Sequence, residues 1–87
     1  MQIRIESHTL KRALERGANE QEITEVLTTG TSVTAKEGRL AKTKVFGFNA
    51  IRNGKHYHQK RIEVYFILED STIVTVTVYV YYGKWEE

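Results

Sequence analysis

The sequence predicts an α+β fold: a short N-terminal strand, a helical hairpin, then a three- to four-stranded antiparallel sheet, in a single domain over residues 1–87. Three observations lead there. Apolar residues at helical spacing, with start and stop signals, are confined to residues 7–30. Strict alternation of apolar and polar residues dominates residues 61–81. The chain has only 87 residues, which leaves room for one core. Helices segregated from an antiparallel sheet define the α+β class.

Ile3 and Ile5 alternate with Arg4 and Glu6, which predicts a short strand at a sheet edge. Ser7 is placed to cap a helix whose apolar stripe is Leu10, Ala13 and Leu14, and Gly17 suits the left-handed position after its end. Asn19, with Glu22 three residues later, predicts a capping box. Ile23, Val26 and Leu27 form the second stripe, closed by Gly30. Residues 31–35 are strand formers, Glu37-Gly38-Arg39 is a turn, and residues 44–48 form a strand that Gly47 either weakens or bulges. Asn53-Gly54 predicts a tight hairpin turn.

The last third gives two long strands. Ile62, Val64, Phe66 and Leu68 alternate with polar residues, as do Val74, Val76, Val78 and Val80. Directly opposed residues share a face, so both apolar sets meet only if paired numbers sum to an even value. That predicts a three-residue loop, Glu69 to Ser71, pairing Phe66 with Val74 and Val64 with Val76. The second face then carries Arg61, Glu63, Tyr65, Thr75, Thr77, Tyr79 and Tyr81, a polar and aromatic set.

A hydrophobic fraction of 40% and a charged fraction of 28% fit a globular chain and exclude wholesale disorder. The absence of Cys excludes a disulfide framework, a cysteine-based zinc site and a thiol nucleophile. The first six residues alternate in polarity, unlike a secretory signal. No stretch approaches the ~18 apolar residues of a membrane span. The expectation is a soluble, cytoplasmic protein with no membrane partner.

The formal charge of +2 conceals an asymmetry. Residues 36–61 hold eight basic residues and one acid, a net of +7, so the remainder carries −5. Phe46, Phe48 and Tyr57 interleave with those bases. Cations that track phosphates beside rings that stack on bases are the pattern of an RNA-binding surface. Lys42, Lys44, Arg52, Lys55 and Lys60 are the candidate RNA-binding residues. The alternative is strand edges guarded by lysine against aggregation.

His8 and Arg12 lie one helical turn apart on one face, where an imidazole can act as base and a guanidinium can hold a phosphate. The alternative is a solvated helix face. His56 and His58 flank Tyr57 and, with His8, could offer three imidazoles, but no Cys or carboxylate cluster joins them, so no metal is assigned. The only Asp is Asp70, in a turn, and no nucleophile elbow surrounds a Ser. Phosphate-loop and dinucleotide signatures are missing, so no cofactor is assigned. Tyr79, Tyr81, Tyr82 and Trp85 form an aromatic end suited to packing, to base stacking or to a partner interface.

The segment His8-Thr9-Leu10-Lys11-Arg12-Ala13-Leu14-Glu15-Arg16-Gly17 resembles the opening motif of the bacterial family called domain of unknown function 4258, which starts a helix with His-Ala-x-x-Arg and ends it with Glu-Arg-Gly-Ile. The end of the chain, Val76-Thr77-Val78-Tyr79 and Gly83-Lys84-Trp85-Glu86, is similar to that family's closing strand. Thr9 and Ala18 depart from the family's Ala and Ile. The family's architecture is similar to that of barnase-, colicin- and RelE-like ribonuclease toxins, whose exposed sheet face binds RNA. The resemblance implies a small metal-independent endoribonuclease, as the toxin of a toxin–antitoxin pair, with RNA as substrate and a small antitoxin as partner. Its matching polar residues here are His8, Arg12, Glu15, Arg16 and Tyr79.

The expected catalytic set is His8 as base or acid, Arg12 and Arg61 as phosphate clamps, Tyr79 as proton donor or orienting group, and Glu63 as a further base. A non-catalytic RNA- or protein-binding module of the same fold is the alternative, and a polar sheet face buried in an oligomer is a third reading.

Overall fold

The computed structural model describes residues 1–85. Its elements run β1 (Gln2–Arg4), α1 (Ser7–Arg16), α2 (Glu20–Thr29), β2 (Thr31–Val33), β3 (Leu40–Arg52), β4 (Lys55–Glu69) and β5 (Thr72–Gly83). All five strands form one sheet in the order β1-β5-β4-β3-β2. β2 to β5 are an antiparallel meander. The short first strand lies at the sheet edge, as expected, and pairs in parallel with β5, Ile3 opposite Ile73. The fold is α+β, with the helices on one face of the sheet.

α2 is built as its sequence specifies. Asn19 Oδ1 accepts from the Glu22 N–H at 2.8 Å, and Glu22 Oε1 accepts from the Asn19 N–H at 3.1 Å, completing the capping box. Ile23, Val26 and Leu27 are all buried, against β3 and β4.

α1 departs from its apolar stripe. Ser7 is its first helical residue, and Glu6 takes the cap position without a side-chain cap bond. Leu14 is 58% exposed, while Thr9 and Ala13 are buried. The physical reason is the edge of β5. β1 pairs only with residues 72–74, which leaves later β5 carbonyls without a strand partner on that side. α1 covers them. Thr9 Oγ1 donates to the Val76 carbonyl at 3.2 Å, and Arg16 Nη1 donates to that of Val78 at 2.6 Å. Satisfying these acceptors fixes the helix rotation, and Leu14 is turned outward. Gly17 ends the helix at φ +101, and a Cβ there would run into the Tyr82 hydroxyl.

The core lies between the helices and one sheet face. It joins Ala13, Ala18, Ile23, Val26 and Leu27 to Ile62, Val64, Phe66, Ile73 and Val78, with Ile3, Ile5, Leu10, Phe46 and Val80 packed around them.

The β3–β4 and β4–β5 turns each have two residues. Asn53-Gly54, with φ of +52 and +79, is the expected one. Asp70-Ser71, with φ of +47 and +67, replaces the expected three-residue loop, and Glu69 pairs with Thr72. Phe66 therefore faces Thr75, not Val74, and Val64 faces Val78, not Val76. A β-bulge between these pairs inserts Val76 and restores the even-sum register beyond it. Thr75 is thereby moved off the polar face and buried, its hydroxyl accepting from the Glu6 N–H at 3.0 Å. Val74, paired with Ile67, takes the opposite face from Ile73. The turn chemistry favours two residues, and one extra strand residue reconciles that turn with the apolar pattern. In β3 the second bulge falls between Gly47 and Ala50, where Asn49 adopts φ +44.

Candidate functional site

The face of the sheet away from the helices carries the polar side chains of alternate positions. Register sets Arg61 opposite Tyr81, Glu63 opposite Tyr79 and Tyr65 opposite Thr77. On the β3 side the same row meets Val45, Thr43 and Ala41. Three of the expected catalytic residues, Arg61, Glu63 and Tyr79, are thus brought together on one face by strand pairing.

Arg61 is the most constrained of them. Its guanidinium carbon lies 5.1 Å from the Tyr81 ring centroid and 5.6 Å from that of Trp85. Trp85 is held back over the sheet by its N–H, which donates to Gln59 Oε1 at 2.6 Å. Stacking leaves the in-plane N–H groups of a guanidinium to bind an oxyanion. Arg61 Nε is buried without a hydrogen-bond partner among the described residues. A buried donor without a partner is costly.

Tyr65 and Tyr79 meet at right angles, ring centroids 5.8 Å apart. Burial raises the pKa of the Tyr65 phenol, and the negative charge of Glu63 adds to the rise. Tyr65 is therefore a neutral hydrogen-bonding group at pH 7. The Arg16 guanidinium reaches from the C-terminal end of α1 to within 5.2 Å of the Tyr79 centroid. A cavity of about 370 Å³ opens beside these tyrosines, between them and the segment 34–39. Lys36, Glu37, Arg39 and Thr77 are among the residues that line it.

His8 and Arg12 are exposed on α1, with His8 Nε2 lying 3.4 Å from the Thr9 hydroxyl. At 100° per residue, His8, Arg12 and Arg16 follow one slanting row on the helix. Arg16 at the end of that row touches Tyr79, so the row occupies the flank of α1 toward the polar face, not the flank carrying Leu10.

The five expected RNA-binding cations have different surroundings. Lys42, Lys44 and Lys60 alternate with Ala41, Thr43 and Arg61 and so belong to the helix face. There they serve the helix ends. Lys42 Nζ donates to the Leu27 carbonyl at 3.0 Å, and Lys44 pairs with Glu25 at 2.6 Å. Lys60 is buried, and its Nζ donates to the Gly17 carbonyl at 2.7 Å and pairs with Glu22 at 2.9 Å. Arg52 Nη2 donates to the Glu15 carbonyl at 3.0 Å. Cations at the negative end of a helix dipole satisfy carbonyls that lack intrahelical donors. Lys55 is exposed, with its Nζ 5.5 Å from the Tyr57 centroid.

Arg16, Tyr65, Lys36, Arg39 and Trp85 join the face without having been in the expected site. Strand alternation already put Tyr65 on the same side as Glu63. No local pattern announces that Arg16 reaches across the β5 edge, or that Trp85 folds back onto Arg61. His56 and His58 lie side by side, centroids 5.2 Å apart, and among the described residues no group of three His, Cys, Asp or Glu side chains is placed to hold a metal ion. No helix among the described residues is long and apolar enough to cross a membrane. No family model, no curated protein and no solved structure matches the chain.

Proposed function

We propose that the polar sheet face binds single-stranded RNA and cleaves it without a metal. The observation that carries this reading is the row Arg61, Glu63 and Tyr79, set side by side by the β4–β5 register. Cleavage of this type needs a base for the 2′-hydroxyl, cations for the charge that builds on phosphorus, and an acid for the departing oxygen. Glu63 takes the 2′-hydroxyl proton. The 2′-oxygen attacks phosphorus, a 2′,3′-cyclic phosphate forms, and the 5′-oxygen leaves with a proton supplied by Tyr79. Arg61 and Arg16 balance the developing negative charge. His8 and Arg12, on the same flank of α1 as Arg16, extend the cationic track along the RNA.

The Arg61 guanidinium, stacked on Tyr81 and Trp85, supports an oxyanion ligand through its in-plane N–H groups, and the surrounding Tyr65, Tyr79, Tyr81 and Trp85 rings support stacking of unpaired bases. The resemblance to toxin-like ribonucleases points the same way and adds a small antitoxin protein as the partner covering this face. The test is incubation of the purified protein with mixed-sequence RNA in chelator. Cyclic-phosphate ends are expected, and their formation falls at least a hundredfold in Glu63→Gln and Arg61→Ala, as the loss of a general base or an oxyanion donor costs about that factor. Salt-sensitive binding without any cleavage identifies the chain as a non-catalytic RNA-binding module and overturns the enzymatic reading.

A further inference from the structure

The cavity beside Tyr65 and Tyr79 shares Tyr79 with the cleavage chemistry and is otherwise lined by residues outside it. Two perpendicular rings make a right-angled corner, which takes a planar ring face-on against one and edge-on against the other. The neutral Tyr65 phenol and the Thr77 hydroxyl each offer a donor and an acceptor there. Lys36, Arg39 and Glu37 are the charged residues of its lining, two cations to one carboxylate, so the net charge favours an anionic ligand. Its volume of about 370 Å³ lies within the range of small-molecule sites, roughly 300–1,000 Å³. Arg61 stands diagonally across the strand pair from Tyr79, a separation of about 7–8 Å. That distance is on the scale of one nucleotide.

We infer that this cavity is a nucleobase-binding subsite, which holds the base of one nucleotide in the Tyr65–Tyr79 corner while its 3′-phosphate rests on Arg61. The inference deepens the reading of this face as an RNA site and rests on it. It makes Tyr65 and Thr77 the residues that set base preference, and Arg61 the residue that sets affinity for any nucleotide. Glu63, opposite Tyr79, then stands beside the ribose between base and phosphate.

Trp85 is the only tryptophan in the chain and lies against Arg61, so its fluorescence reports ligands arriving there. Nucleoside 3′-monophosphates of the four bases and inorganic phosphate are titrated against the intact protein. At least one nucleotide is expected to bind tenfold or more tightly than inorganic phosphate. Tyr65→Ala and Thr77→Val are expected to reduce or reorder that advantage while leaving phosphate binding unchanged. Lys36→Ala, an exposed substitution, is expected to weaken the nucleotides several-fold with the fold intact, and circular dichroism checks folding of each variant. Equal affinity for phosphate and all four nucleotides overturns the inference, as does an advantage untouched by all three variants in folded form. Base-selective binding with no RNA cleavage leaves the subsite standing and defeats only the enzymatic reading. Cleavage whose base preference ignores the three variants defeats only the subsite.

Discussion

Lys60, buried in β4, pairs its ammonium with the Glu22 carboxylate of α2 at 2.9 Å and also donates to the Gly17 carbonyl at the end of α1. One side chain of the sheet thereby ties the close of the first helix to the start of the second. Lys60→Met removes a donor from that carbonyl and leaves Glu22 without this cation. A loss of about 3 kcal/mol is expected, since breaking a buried pair from one side strands the other charge. Glu22→Gln keeps the capping acceptor and should lose less. Urea unfolding midpoints of the two variants check the order.

Tyr82 closes the same helix end, its hydroxyl donating to the Arg16 carbonyl at 2.6 Å. Tyr82→Phe is expected to cost about 1 kcal/mol, the net worth of one such bond. Burial raises this phenol's pKa and Glu22 adds to the rise, while Arg52 opposes it. A folded-state pKa above the unfolded one means the native protein holds the proton more tightly. This part of the stability is complete below pH ~10 and is lost as pH rises through the raised folded value. Stability measured between neutral and strongly alkaline pH should fall less steeply in Tyr82→Phe than in the parent protein.

Gly17 needs its left-handed φ of +101 and has the Tyr82 hydroxyl where a Cβ would go. Gly17→Ala is expected to destabilise by more than about 1 kcal/mol, the strain of that conformation alone for an L-residue. The double variant with Tyr82→Phe removes the clash but not the strain. Its thermal midpoint separates the two contributions.

The two faces of α1 give a contrast. Leu14 is 58% exposed and Ala13 is fully buried. Leu14→Gln should change stability by no more than about 0.5 kcal/mol. Ala13→Leu inserts methylenes into a packed core and should cost about 1–3 kcal/mol. Equal effects in denaturant titrations would contradict the helix rotation set by Thr9 and Arg16.

The cations divide by face. Arg61→Ala is expected to lower RNA affinity and flatten its salt dependence, because each lost phosphate contact reduces the slope by about one unit. Lys42→Ala and Lys44→Ala are expected to act mainly on stability, through the end of α2. Binding isotherms at several salt concentrations, beside melting curves, distinguish the two outcomes.

Much of this architecture is local and was readable in the chain. Asn19 and Glu22 carry their own capping box, Asn53-Gly54 carries its turn, and alternation assigned Arg61, Glu63, Tyr65 and Tyr79 to one face. Three decisions belonged to tertiary structure. The rotation of α1 was settled by unpaired carbonyls on β5, which outweigh the exposure of one leucine. The register of the last hairpin was settled by the two-residue Asp70-Ser71 turn together with the bulge at Val76. The basic run of residues 36–61 was divided because neighbouring strand residues point to opposite sides, and because helix ends without donors attract nearby ammonium and guanidinium groups. Sequence by itself determines which residues are basic and which positions alternate. Whether a cation meets solvent or a helix carbonyl depends on what packs over each face, and that exists only once the chain is folded.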